Sequence, residues 1–577
     1  MVNIRINGTE MSVEPNTTIL EAANKIGIKI PTLCHLNLHD IKFVNKLASC
    51  RVCMVEDLRS GKLMPACATL VKEGMDIITD STRVVKARRV IVELLLSDHP
   101  NACLTCAKNL DCELQALARD LNVKNVEYRG ERTNLPIDDN SLSIVRDPNK
   151  CILCRRCETM CNEVQTVGAL TEVGRGFETY IGSTFGRSMY ETTCTFCGQC
   201  LSVCPTGALT EVSNIDKVWD ALHSDKVVVV QTAPAVRVAL GEEFGLEPGT
   251  IVTGKMVAAL RRLGFDKVFD TDFAADLTIM EESNEFIERL KGNGNLPILT
   301  SCCPGWVNFM EQQFPDMIEI PSTCKSPHEM FGAVAKTYLC EKLGIDPENM
   351  VVVSVMPCVA KKFESARPEL ENDGKSDVDI VITTRELGRM IKEAGINFLG
   401  LADEDFDDPL GESTGAGAIF GATGGVIEAT VRTAYKRLTG EDLGDLEFTD
   451  LRGFEGIKTT EVDINGRKIR IAVANGLGNT RRLLDKINNG EEEFEAIEVM
   501  ACPGGCVGGG GQPYHHGDIS VIRKRSEGIY DVDRSKEKRK SYENEKVQQL
   551  YSEFLGEIGG SLAHELLHTS YEKKPKL

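Results

Sequence analysis

The sequence predicts a multidomain protein of α+β and α/β class, in which small cysteine-rich units precede a larger α/β domain. The chain has 577 residues, which is more than a single hydrophobic core usually organises. Most of its 22 cysteines lie before residue 205. From about residue 211 onward, apolar strand-like runs alternate with helical patterns. This alternation is typical of βα units and of a sheet that is at least partly parallel.

The composition limits the possible partners and locations. Hydrophobic residues make up 42% and charged residues 26% of the chain, and no apolar run is long enough to cross a bilayer. The N-terminal MVNIRINGTEM lacks the basic and apolar regions of a signal peptide. We therefore expect a cytoplasmic protein that does not bind a membrane.

The net charge of −20 disfavours nucleic acid as a partner, because phosphate backbones repel an acidic surface. A local basic docking patch is still compatible with this charge. Lys150, Arg155 and Arg156 are its candidates, although a solvated basic face is the simpler explanation.

The 22 cysteines are the most informative feature of the composition. Nothing in the sequence indicates export, and reducing compartments keep thiols free of disulfides. Grouped C-x-x-C spacings favour metal binding instead. Zinc explains a single group of four cysteines, but it explains poorly a repeat with three close cysteines and a distant fourth.

Residues 1–80 combine a two-strand pattern around Asn7-Gly8 with a helical pattern from Thr18 to Ile26. A tight C-x-x-C pair follows, with one further cysteine on either side, and this arrangement resembles the plant-type 2Fe–2S ferredoxins. The first gap is longer than in that family, which leaves the loop shape open but not the number of ligands. Zinc is the alternative. The resemblance implies a β-grasp 2Fe–2S ferredoxin-like domain with the ligands Cys34, Cys50, Cys53 and Cys67.

Residues 81–125 begin with a basic helical stretch from Ser81 to Ser97 and continue with three cysteines. Three cysteines are one ligand short of a 4Fe–4S site, and a histidine four residues before the first of them completes the set. A neutral imidazole in place of a thiolate removes one negative charge from such a cluster. Zinc accepts the same donors, so the spacing leaves both metals open. The candidate Cys3His ligands are His99, Cys103, Cys106 and Cys112.

Residues 126–210 contain the internal repeat of the chain, a C-x2-C-x2-C-x3-C spacing that occurs twice. This is the bacterial two-cluster ferredoxin pattern, in which the fourth cysteine of each motif ligates the other cluster. Asn162 stands where the pattern has Pro, a departure that affects the turn rather than the ligands. We expect one 4Fe–4S cluster on Cys151, Cys154, Cys157 and Cys204, and a second on Cys194, Cys197, Cys200 and Cys161.

In residues 211–515, three cysteine motifs fall close to the ends of predicted strands: TSCCPGW at 300–306, MPCVAKKFE at 356–364 and MACPGGCVGGGGQP at 500–513. Sites in α/β folds lie beyond the carboxyl ends of strands, so we expect the motifs to converge. The predicted strands are Val227–Gln231, Pro297–Thr300, Val351–Val355, Val378–Thr383 and Lys468–Ala474. The possible ligands of a fourth 4Fe–4S cluster are Cys303, Cys358, Cys502 and Cys506.

The three motifs together resemble the signatures of the iron-only (FeFe) hydrogenases, and the order of the upstream sites is similar to that of the monomeric clostridial enzymes. The resemblance extends from the Cys34 region to about Pro513. It implies an α/β catalytic domain with the family's H-cluster, a 4Fe–4S cubane joined through one thiolate to a two-iron unit. That unit carries carbon monoxide, cyanide and azadithiolate ligands. The resemblance also implies Cys506 as the bridging ligand and reversible reduction of protons to hydrogen.

The same resemblance implies a path for protons. Cys302, beside the ligand Cys303, faces the open iron, and a thiol of ordinary pKa, about 8.5, is mostly protonated at neutral pH. Packing as a small hydrophobe is the alternative role for this cysteine. Two glutamates three residues apart share a helix face, and on sequence alone they would form an exposed acidic stripe. In order from the cluster to the surface, the path is Cys302, Glu282, Ser322 and Glu285, with Arg289 beside the last.

Further residues are implied to surround the two-iron unit. Lys361 matches the lysine that is expected to hydrogen-bond a cyanide ligand, a sound pairing of an ammonium with a small anion. His328 stands where similar enzymes carry a different polar residue, and it receives no role. Four residues are expected to line the unit, with ordinary core packing as their alternative: Ala233, Pro234, Met356 and Met500.

Two other motif matches indicate no site. The HELLH segment at 564–568 matches the HExxH signature of zinc proteases, but it lies in the predicted helical tail 516–577 with no room for a protease subdomain. The Gly-rich run at 411–425 lacks both the P-loop lysine and the GxGxxG spacing. We expect it to pack closely around the buried cluster.

Two rival functions share part of the pattern. An iron–sulfur subunit of a complex-I-like or formate dehydrogenase system has the N-terminal cluster order but lacks the three later motifs. Hydrogen sensors tend to lose the proton-donating cysteine, and iron–sulfur assembly relatives lack the full set of proton-path residues. All of these residues are present here. The cluster ligands and Cys302 account for every cysteine except Cys324 and Cys340, which are expected to be plain buried thiols.

The resemblance also implies the cofactors and partners. We expect three accessory 4Fe–4S clusters and one 2Fe–2S cluster beside the H-cluster. A ferredoxin or flavodoxin is the expected electron carrier, and hydrogenase maturation proteins are expected to supply the two-iron unit. The protein is expected to be a monomer.

Overall fold

The N-terminal segment folds as a mixed five-stranded sheet with one helix. The computed structural model describes residues 1–43, 45–372, 374–444 and 446–574. The strand order is β2-β1-β5-β3-β4, in which β1 and β5 are parallel and the other neighbours antiparallel. Thr18 and Glu21 form a capping box that starts the helix. The elements are β1 (Val2–Ile6), β2 (Thr9–Val13), α1 (Ile19–Lys25), β3 (Met54–Asp57), β4 (Lys62–Pro65) and β5 (Asp76–Ile78).

The two following cysteine-rich segments contain short elements. Strands β6 and β9 pair antiparallel, as do β7 and β8. The internal repeat is visible in the backbone, because a residue with positive φ, Arg155 or Gly198, starts the short helix of each motif. The elements are α2 (Thr82–Asp98), α3 (Glu113–Asp120), β6 (Ile144–Arg146), α4 (Arg156–Thr159), β7 (Thr171–Val173), β8 (Tyr180–Gly182), α5 (Gln199–Val203) and β9 (Leu209–Glu211).

One of the three basic residues around the third cysteine group is not available for a docking patch. Arg156 is buried, and its guanidinium lies 2.6 Å from the Glu113 carboxylate. Lys150 lies 3.0 Å from Asp147, and Arg155 also pairs with a carboxylate. Arg156 therefore belongs to neither a docking patch nor a solvated face, whereas for the partly exposed Lys150 and Arg155 both interpretations stay predictions.

Residues 211–515, here called the catalytic segment, are built mainly of βα units, and the described part of the tail that follows is helical. The elements are α6 (Ile215–Leu222), β10 (Val227–Thr232), α7 (Thr253–Leu263), β11 (Lys267–Asp270), α8 (Thr271–Leu290), β12 (Ile298–Leu299), α9 (Pro304–Gln313), α10 (Pro327–Val334), α11 (Cys340–Leu343), β13 (Met350–Met356), α12 (Lys361–Glu364), β14 (Glu371–Asn372), β15 (Lys375–Ser376), β16 (Ile380–Thr383), α13 (Thr384–Glu393), α14 (Gly415–Ala418), α15 (Gly425–Thr439), β17 (Ile457–Ile464), β18 (Arg467–Asn475), α16 (Leu477–Asn488), β19 (Ala496–Met500), α17 (Ile519–Ser535), α18 (Glu545–Leu550) and α19 (Ser561–Leu567).

Two four-stranded sheets organise this segment. The first has the order β11-β10-β13-β16 with all neighbours parallel. The second has the order β12-β19-β18-β17, in which only the β17–β18 hairpin is antiparallel. The predicted α/β class and partly parallel sheet are confirmed. The domain boundaries near residues 80, 125, 210 and 515 stay predictions.

Parallel pairing brings the carboxyl ends of the strands together. The chain leaves β10 at Ala233 and β13 at Pro357 in one sheet, and β12 at Thr300 and β19 at Ala501 in the other. Trp306 is fully buried, and its indole Nε1 donates to the Thr300 carbonyl at 3.0 Å. The indole therefore ties helix α9 to the end of β12. Among the described helices, none combines the length and apolar character needed to cross a bilayer.

The two-cluster segment is bonded to the catalytic segment through buried polar contacts. Arg385 donates to the Glu211 carboxylate at 2.8 Å, and both side chains are 1% exposed. Gln199 donates to the Gly508 carbonyl at 2.9 Å, and Gln165 donates to Ala501 at 2.8 Å. Because these groups are removed from water, their pairing is needed for the segments to stay together.

Replacing Arg385 with alanine is expected to destabilise this junction, because the substitution leaves the buried Glu211 carboxylate without its main cation. We expect a loss of about 3–5 kcal/mol in the free energy of unfolding. It is measured as a lower midpoint of thermal unfolding under anaerobic conditions. Lys468→Ala removes an exposed ion pair with Glu461 and is the matched control, with little change expected. Equal midpoints for the two variants would contradict the structural role of Arg385.

Candidate functional site

Four cysteines from the three motifs meet beyond the strand ends. Cys303 caps helix α9, and its Sγ lies 3.5 Å from the backbone N–H of Ala501, which follows β19. Cys358 follows β13, and Cys502 follows β19. Cys358, Cys303 and Cys506 each lie near enough to the Cys502 thiol to raise its pKa. The four sulfurs are therefore close to one another.

The environment of these sulfurs suits a metal cluster. Burial raises the pKa of the thiol in Cys303, Cys358, Cys502 and Cys506. A buried thiol remains protonated unless a cation stabilises the thiolate. A metal cluster supplies that stabilisation, so the donor set matches the iron–sulfur group predicted from the sequence.

Cys302 lies beside this set but faces other groups. Its side chain is half-buried, and burial, with the neighbouring Cys506 and Glu282 charges, raises the pKa of the thiol well above its ordinary value. The expected ordinary pKa of about 8.5 is therefore wrong. The difference strengthens the expected protonation, because a higher pKa keeps the proton on Sγ at neutral pH.

The two relay glutamates lie on helix α8 but are not an exposed stripe. Glu282 is 4% exposed, and the Glu285 side chain is 16% exposed. Burial, together with the Glu285 charge, raises the pKa of Glu282 to about 8. Glu282 is therefore protonated at neutral pH and is able to give or take a proton.

Glu285 is held by hydrogen bonds from three residues. The Ser322 hydroxyl donates to Glu285 Oε2 at 2.8 Å, and the Thr323 backbone N–H donates to the same oxygen at 3.0 Å. Arg289 donates to Oε1 at 2.5 Å and also donates to the carbonyls of Ile320 and Pro321. Glu285, Ser322 and Arg289 are therefore in direct contact. Glu282 lies near enough to Cys302 to raise the pKa of its thiol.

Lys361 is linked to Cys302 and to two residues to which the sequence analysis gave no role. Its ammonium donates to the Cys302 carbonyl at 3.1 Å and to Glu364 Oε2 at 2.6 Å. Burial alone would lower the pKa of Lys361, but the Glu364 carboxylate raises it above its ordinary value. His328 Nε2 lies 2.6 Å from the same Glu364 oxygen. The i,i+3 spacing of Lys361 and Glu364 inside the MPCVAKKFE motif was the available signal for this pair.

The remaining residues that were predicted to line the two-iron unit are buried at strand ends. Met356 ends β13 and is 3% exposed, and Met500 ends β19 and is 2% exposed. Ala233 and Pro234 follow β10 and are also buried. Their positions suit either a lining role or core packing.

The two-cluster segment brings its cysteines together across the repeat. One cavity is lined by Cys151, Cys154, Cys157 and Cys204, so the last cysteine of the second motif joins the first three of the first motif. Conversely, the last cysteine of the first motif, Cys161, lies near enough to the thiols of Cys194, Cys197 and Cys200 to raise their pKa. This exchange of fourth ligands is the arrangement predicted from the spacing.

The two N-terminal sites also suit metal ligation. Cys53 and Cys67 have their sulfurs 3.3 Å apart, and the thiols of Cys50 and Cys67 hydrogen-bond Cys34. His99 is 9% exposed, and its Nε2 is buried without a hydrogen-bond partner among the described residues. Burial lowers the pKa of His99. A lowered pKa favours the neutral ring, which is the form that ligates metals, and no described residue occupies the position beside Nε2.

The HELLH segment does not form a protease site. Helix α19 ends at Leu567, and His568 continues in an extended conformation. His568 Nδ1 lies 2.7 Å from the Thr323 hydroxyl, whereas His564 is exposed. The two imidazole rings stack with their centroids 4.7 Å apart, but His568 is held by Thr323 and Glu281. Glu565, the motif's acidic residue, is exposed.

Family comparisons cover nearly the whole chain. Residues 226–510 match the C-terminal domain of the iron-only hydrogenase large subunit, and residues 519–574 match the iron hydrogenase small subunit. A 2Fe–2S cluster binding domain matches residues 1–82, and a 4Fe–4S dicluster domain matches residues 150–208. Residues 88–127 match the NADH-ubiquinone oxidoreductase-G iron–sulfur binding region. These matches favour iron–sulfur clusters over zinc at the N-terminal sites.

Two hydrogenases are similar to this chain over nearly its whole length, and a solved structure is similar over 63% of it. The NADP-reducing hydrogenase subunit HndD of Solidesulfovibrio fructosivorans is 57% identical over the full length of both chains. Iron hydrogenase 1 of Clostridium pasteurianum is 41% identical over 99% of this chain and all of its own. The solved FeFe-hydrogenase HydA1 of Chlamydomonas reinhardtii is 43% identical, with a TM-score of 0.57, over 63% of this chain and 99% of that one.

Replacing Glu282 with glutamine is expected to stabilise the fold. Its folded-state pKa lies above the unfolded value, so folding stability falls as the pH rises from about 4.5 to about 8. Glutamine has no proton to lose, and the variant should gain about 2 kcal/mol at pH 6 and about 4 kcal/mol at pH 8. Thermal unfolding midpoints at the two pH values measure this gain.

The matched control is Glu285→Gln, which loses an ion pair with Arg289 and should lower the midpoint. A midpoint for Glu282→Gln that equals that of the unmodified protein at both pH values would contradict the raised pKa.

Proposed function

This chain belongs to the iron-only (FeFe) hydrogenase family, and from that premise we propose which residues hold its clusters and which move protons. The protein is an oxidoreductase that acts on hydrogen and interconverts it with protons and electrons. The observation that carries the residue assignments is the convergence of the three cysteine motifs at the ends of β12, β13 and β19.

The H-cluster cubane is assigned to Cys303, Cys358, Cys502 and Cys506, with Cys506 as the bridging ligand. When bound, the cluster supplies the iron at which protons and electrons combine to hydrogen. The four thiols support this assignment because Cys502 is buried, the other three are half-buried, and desolvation raises the pKa of each. The two-iron unit is proposed to need dedicated maturation proteins.

Electrons are proposed to reach the site through the two-cluster segment. Cys303 lies near enough to Cys197 to raise the pKa of its thiol, and Cys197 in turn raises the pKa of the Cys502 thiol. A Cβ placed on Gly305 would lie 3.4 Å from Cys197 Cβ. The cluster on Cys194, Cys197, Cys200 and Cys161 is therefore proposed as the last electron donor, supplied in turn by the cluster on Cys151, Cys154, Cys157 and Cys204.

Two further clusters are proposed upstream of that pair. A 2Fe–2S cluster is assigned to Cys34, Cys50, Cys53 and Cys67, and a 4Fe–4S cluster to Cys103, Cys106, Cys112 and His99. The buried, unpaired Nε2 of His99 supports the histidine ligand.

Protons are proposed to enter at Glu285 and to leave the chain at Cys302. The Ser322 hydroxyl donates to Glu285 Oε2. Once Glu285 has taken up a proton, it gives that proton to the Ser322 oxygen, and the Ser322 hydroxyl turns and gives its own proton inward to Glu282. Glu282 holds a proton at neutral pH because its pKa is about 8. The Cys302 thiol is the final donor. Arg289 positions Glu285 rather than carrying protons, since an arginine does not give up its proton at neutral pH.

Lys361 is proposed to orient the anionic ligands of the two-iron unit. Its ammonium is fixed between Glu364 and the Cys302 carbonyl, so its direction is set before any ligand binds. Glu364 and His328 are proposed as positioning residues that act through Lys361. Ala233, Pro234, Met356 and Met500 are proposed to line the unit.

Replacing Cys302 with alanine is expected to lower hydrogen turnover by about 10²–10⁴-fold, because the last proton donor is lost. The infrared bands of carbon monoxide and cyanide should persist, because Cys302 is not a ligand. Hydrogen evolution and infrared spectra of the matured protein measure the two effects.

Cys340→Ala removes a buried thiol that contacts Met350, and it is the matched control with normal turnover. Cys506→Ala should instead lose the infrared bands. Turnover by Cys302→Ala at the level of the control would remove the proton-donor assignment.

The electron carrier is proposed to be either ferredoxin or a partner subunit that uses NADP. A relative 57% identical throughout is named as a subunit of an NADP-reducing hydrogenase, and this similarity supports the complex over the expected monomer.

Leu104 and Leu110, within the Cys103–Cys112 loop, are 93% and 86% exposed. Exposed leucines beside a cluster site support docking of a partner there. The cytoplasmic location remains part of the proposal.

We expect the purified chain to evolve hydrogen from reduced ferredoxin but not from NADPH, because the Gly-rich run 411–425 has neither nucleotide-binding spacing. Changing Leu104 and Leu110 to serine should lower the ferredoxin-linked rate while the rate with methyl viologen stays unchanged. Initial rates with the three donors measure these effects. Activity of the isolated chain with NADPH would contradict the need for a partner subunit.

A further inference from the structure

The C-terminal tail pairs with the chain at the outer end of the proposed proton path. Thr569 N–H donates to the Thr323 carbonyl at 2.8 Å, and Lys325 N–H donates to the Leu567 carbonyl at 2.8 Å. These two bonds flank Cys324 and His568, which form an antiparallel bridge. Such a pair is the closely spaced kind in which side chains on one face approach each other. The tail therefore places a histidine beside a cysteine that no cluster uses.

Glu285 completes a group of three possible metal ligands. A carboxylate oxygen of Glu285, the Cys324 sulfur and a ring nitrogen of His568 all lie within 4.8 Å of one another. In a tetrahedral zinc site, with bonds of about 2.0–2.3 Å, such donors are roughly 3.5 Å apart. The group therefore needs to close by only about 1 Å around an ion.

We propose that Glu285, Cys324 and His568 form a binding site for one divalent cation of the zinc type, and that this cation blocks proton entry. The effect on turnover rests on the proposed proton path, whereas the binding itself does not.

The donor set selects the class of cation. A thiolate, an imidazole and a carboxylate together suit zinc and similar borderline ions, whereas magnesium and calcium prefer oxygen ligands. Binding replaces the proton of the Cys324 thiol with the metal. A water molecule supplies the fourth ligand of a three-residue site.

The surroundings allow a cation to enter and to be held. The side chains of Glu285 and His568 are 16% and 6% exposed, so the group lies just beneath the surface. The Glu281 carboxylate lies 3.4 Å from His568 Nε2 and adds negative charge. Arg289 opposes a cation, but its guanidinium bonds Glu285 Oε1 and leaves Oε2 on the side of Ser322 and Thr323.

A bound cation removes Glu285 from proton exchange. Glu285 Oε2 accepts hydrogen bonds from the Ser322 hydroxyl and the Thr323 N–H. A carboxylate that ligates a metal is not available to take a proton from solvent, so Ser322 loses its supply. Zinc should therefore slow turnover without changing the cluster ligands.

The test uses the matured holoenzyme and zinc chloride under anaerobic conditions. We expect one zinc per chain, and zinc-edge X-ray absorption with a sulfur at about 2.3 Å beside nitrogen and oxygen neighbours. Hydrogen evolution should fall at least roughly tenfold when the site is filled. Unchanged carbon monoxide and cyanide infrared bands show that zinc has not displaced the H-cluster.

The variants Cys324→Ser and His568→Gln each remove one ligand. Each should raise the zinc concentration needed for half-inhibition by at least roughly 10–100-fold, with every rate compared with that of the same variant without zinc. Cys340→Ala and His223→Ala alter a cysteine and an exposed histidine elsewhere. These controls should respond to zinc as the unmodified protein does.

Three results would overturn the inference. Zinc binding without a sulfur neighbour, or binding and inhibition unchanged in both ligand variants, would remove the site. Binding at the site without slower turnover would remove the block and would also remove Glu285 from the proton path. Failure of the hydrogenase assignment is distinguishable, because it shows as absent hydrogen turnover before zinc is added.

Discussion

The structure depends on four thiols, one buried and three half-buried, that meet where the carboxyl ends of two sheets come together. Cys303, Cys358 and Cys502 follow strands of those sheets, and Cys506 follows on the turn after β19. Burial raises the pKa of each thiol, so the folded chain by itself favours neutral sulfur. Only a cationic group makes four adjacent thiolates stable in such a place. The arrangement is thus more suitable for a metal cluster than for packing alone.

The same burial determines how protons are held around the cluster site. Desolvation keeps a proton on Glu282 and on the Cys302 thiol, whereas the nearby Lys361 keeps its charge through Glu364. Farther out, Ser322 donates to Glu285, whose side chain is partly exposed to solvent. Protonated donors therefore lie inside, and the carboxyl group paired with Arg289 lies nearer the surface. That order lets protons move inward without a permanent charge being buried along the way.

Much of this site could be predicted because its ligands follow local rules. Cysteine spacing determines which sulfurs share a loop, and apolar runs locate the parallel strands that end at the site. The burial of Glu282 could not be predicted, because helix α8 packs against residues far along the chain. Glu498, on strand β19 of the second sheet, lies near enough to raise the pKa of Glu282, and nothing near residue 282 indicates this neighbour. Arg156 was misjudged for the same reason, since its partner Glu113 lies 43 positions away.

The glycine run after Cys506 determines how closely the electron-carrying segment approaches the catalytic site. A Cβ on Gly510 would lie 2.6 Å from the Gly198 Cα, which is closer than any side chain tolerates. Gly198 has positive φ and directly follows Cys197. Backbone therefore meets backbone at this point, and Gln199 bonds Gly508 alongside it. A larger residue at 510 would separate the two cysteine groups, so the glycine serves electron transfer by permitting contact rather than by flexibility.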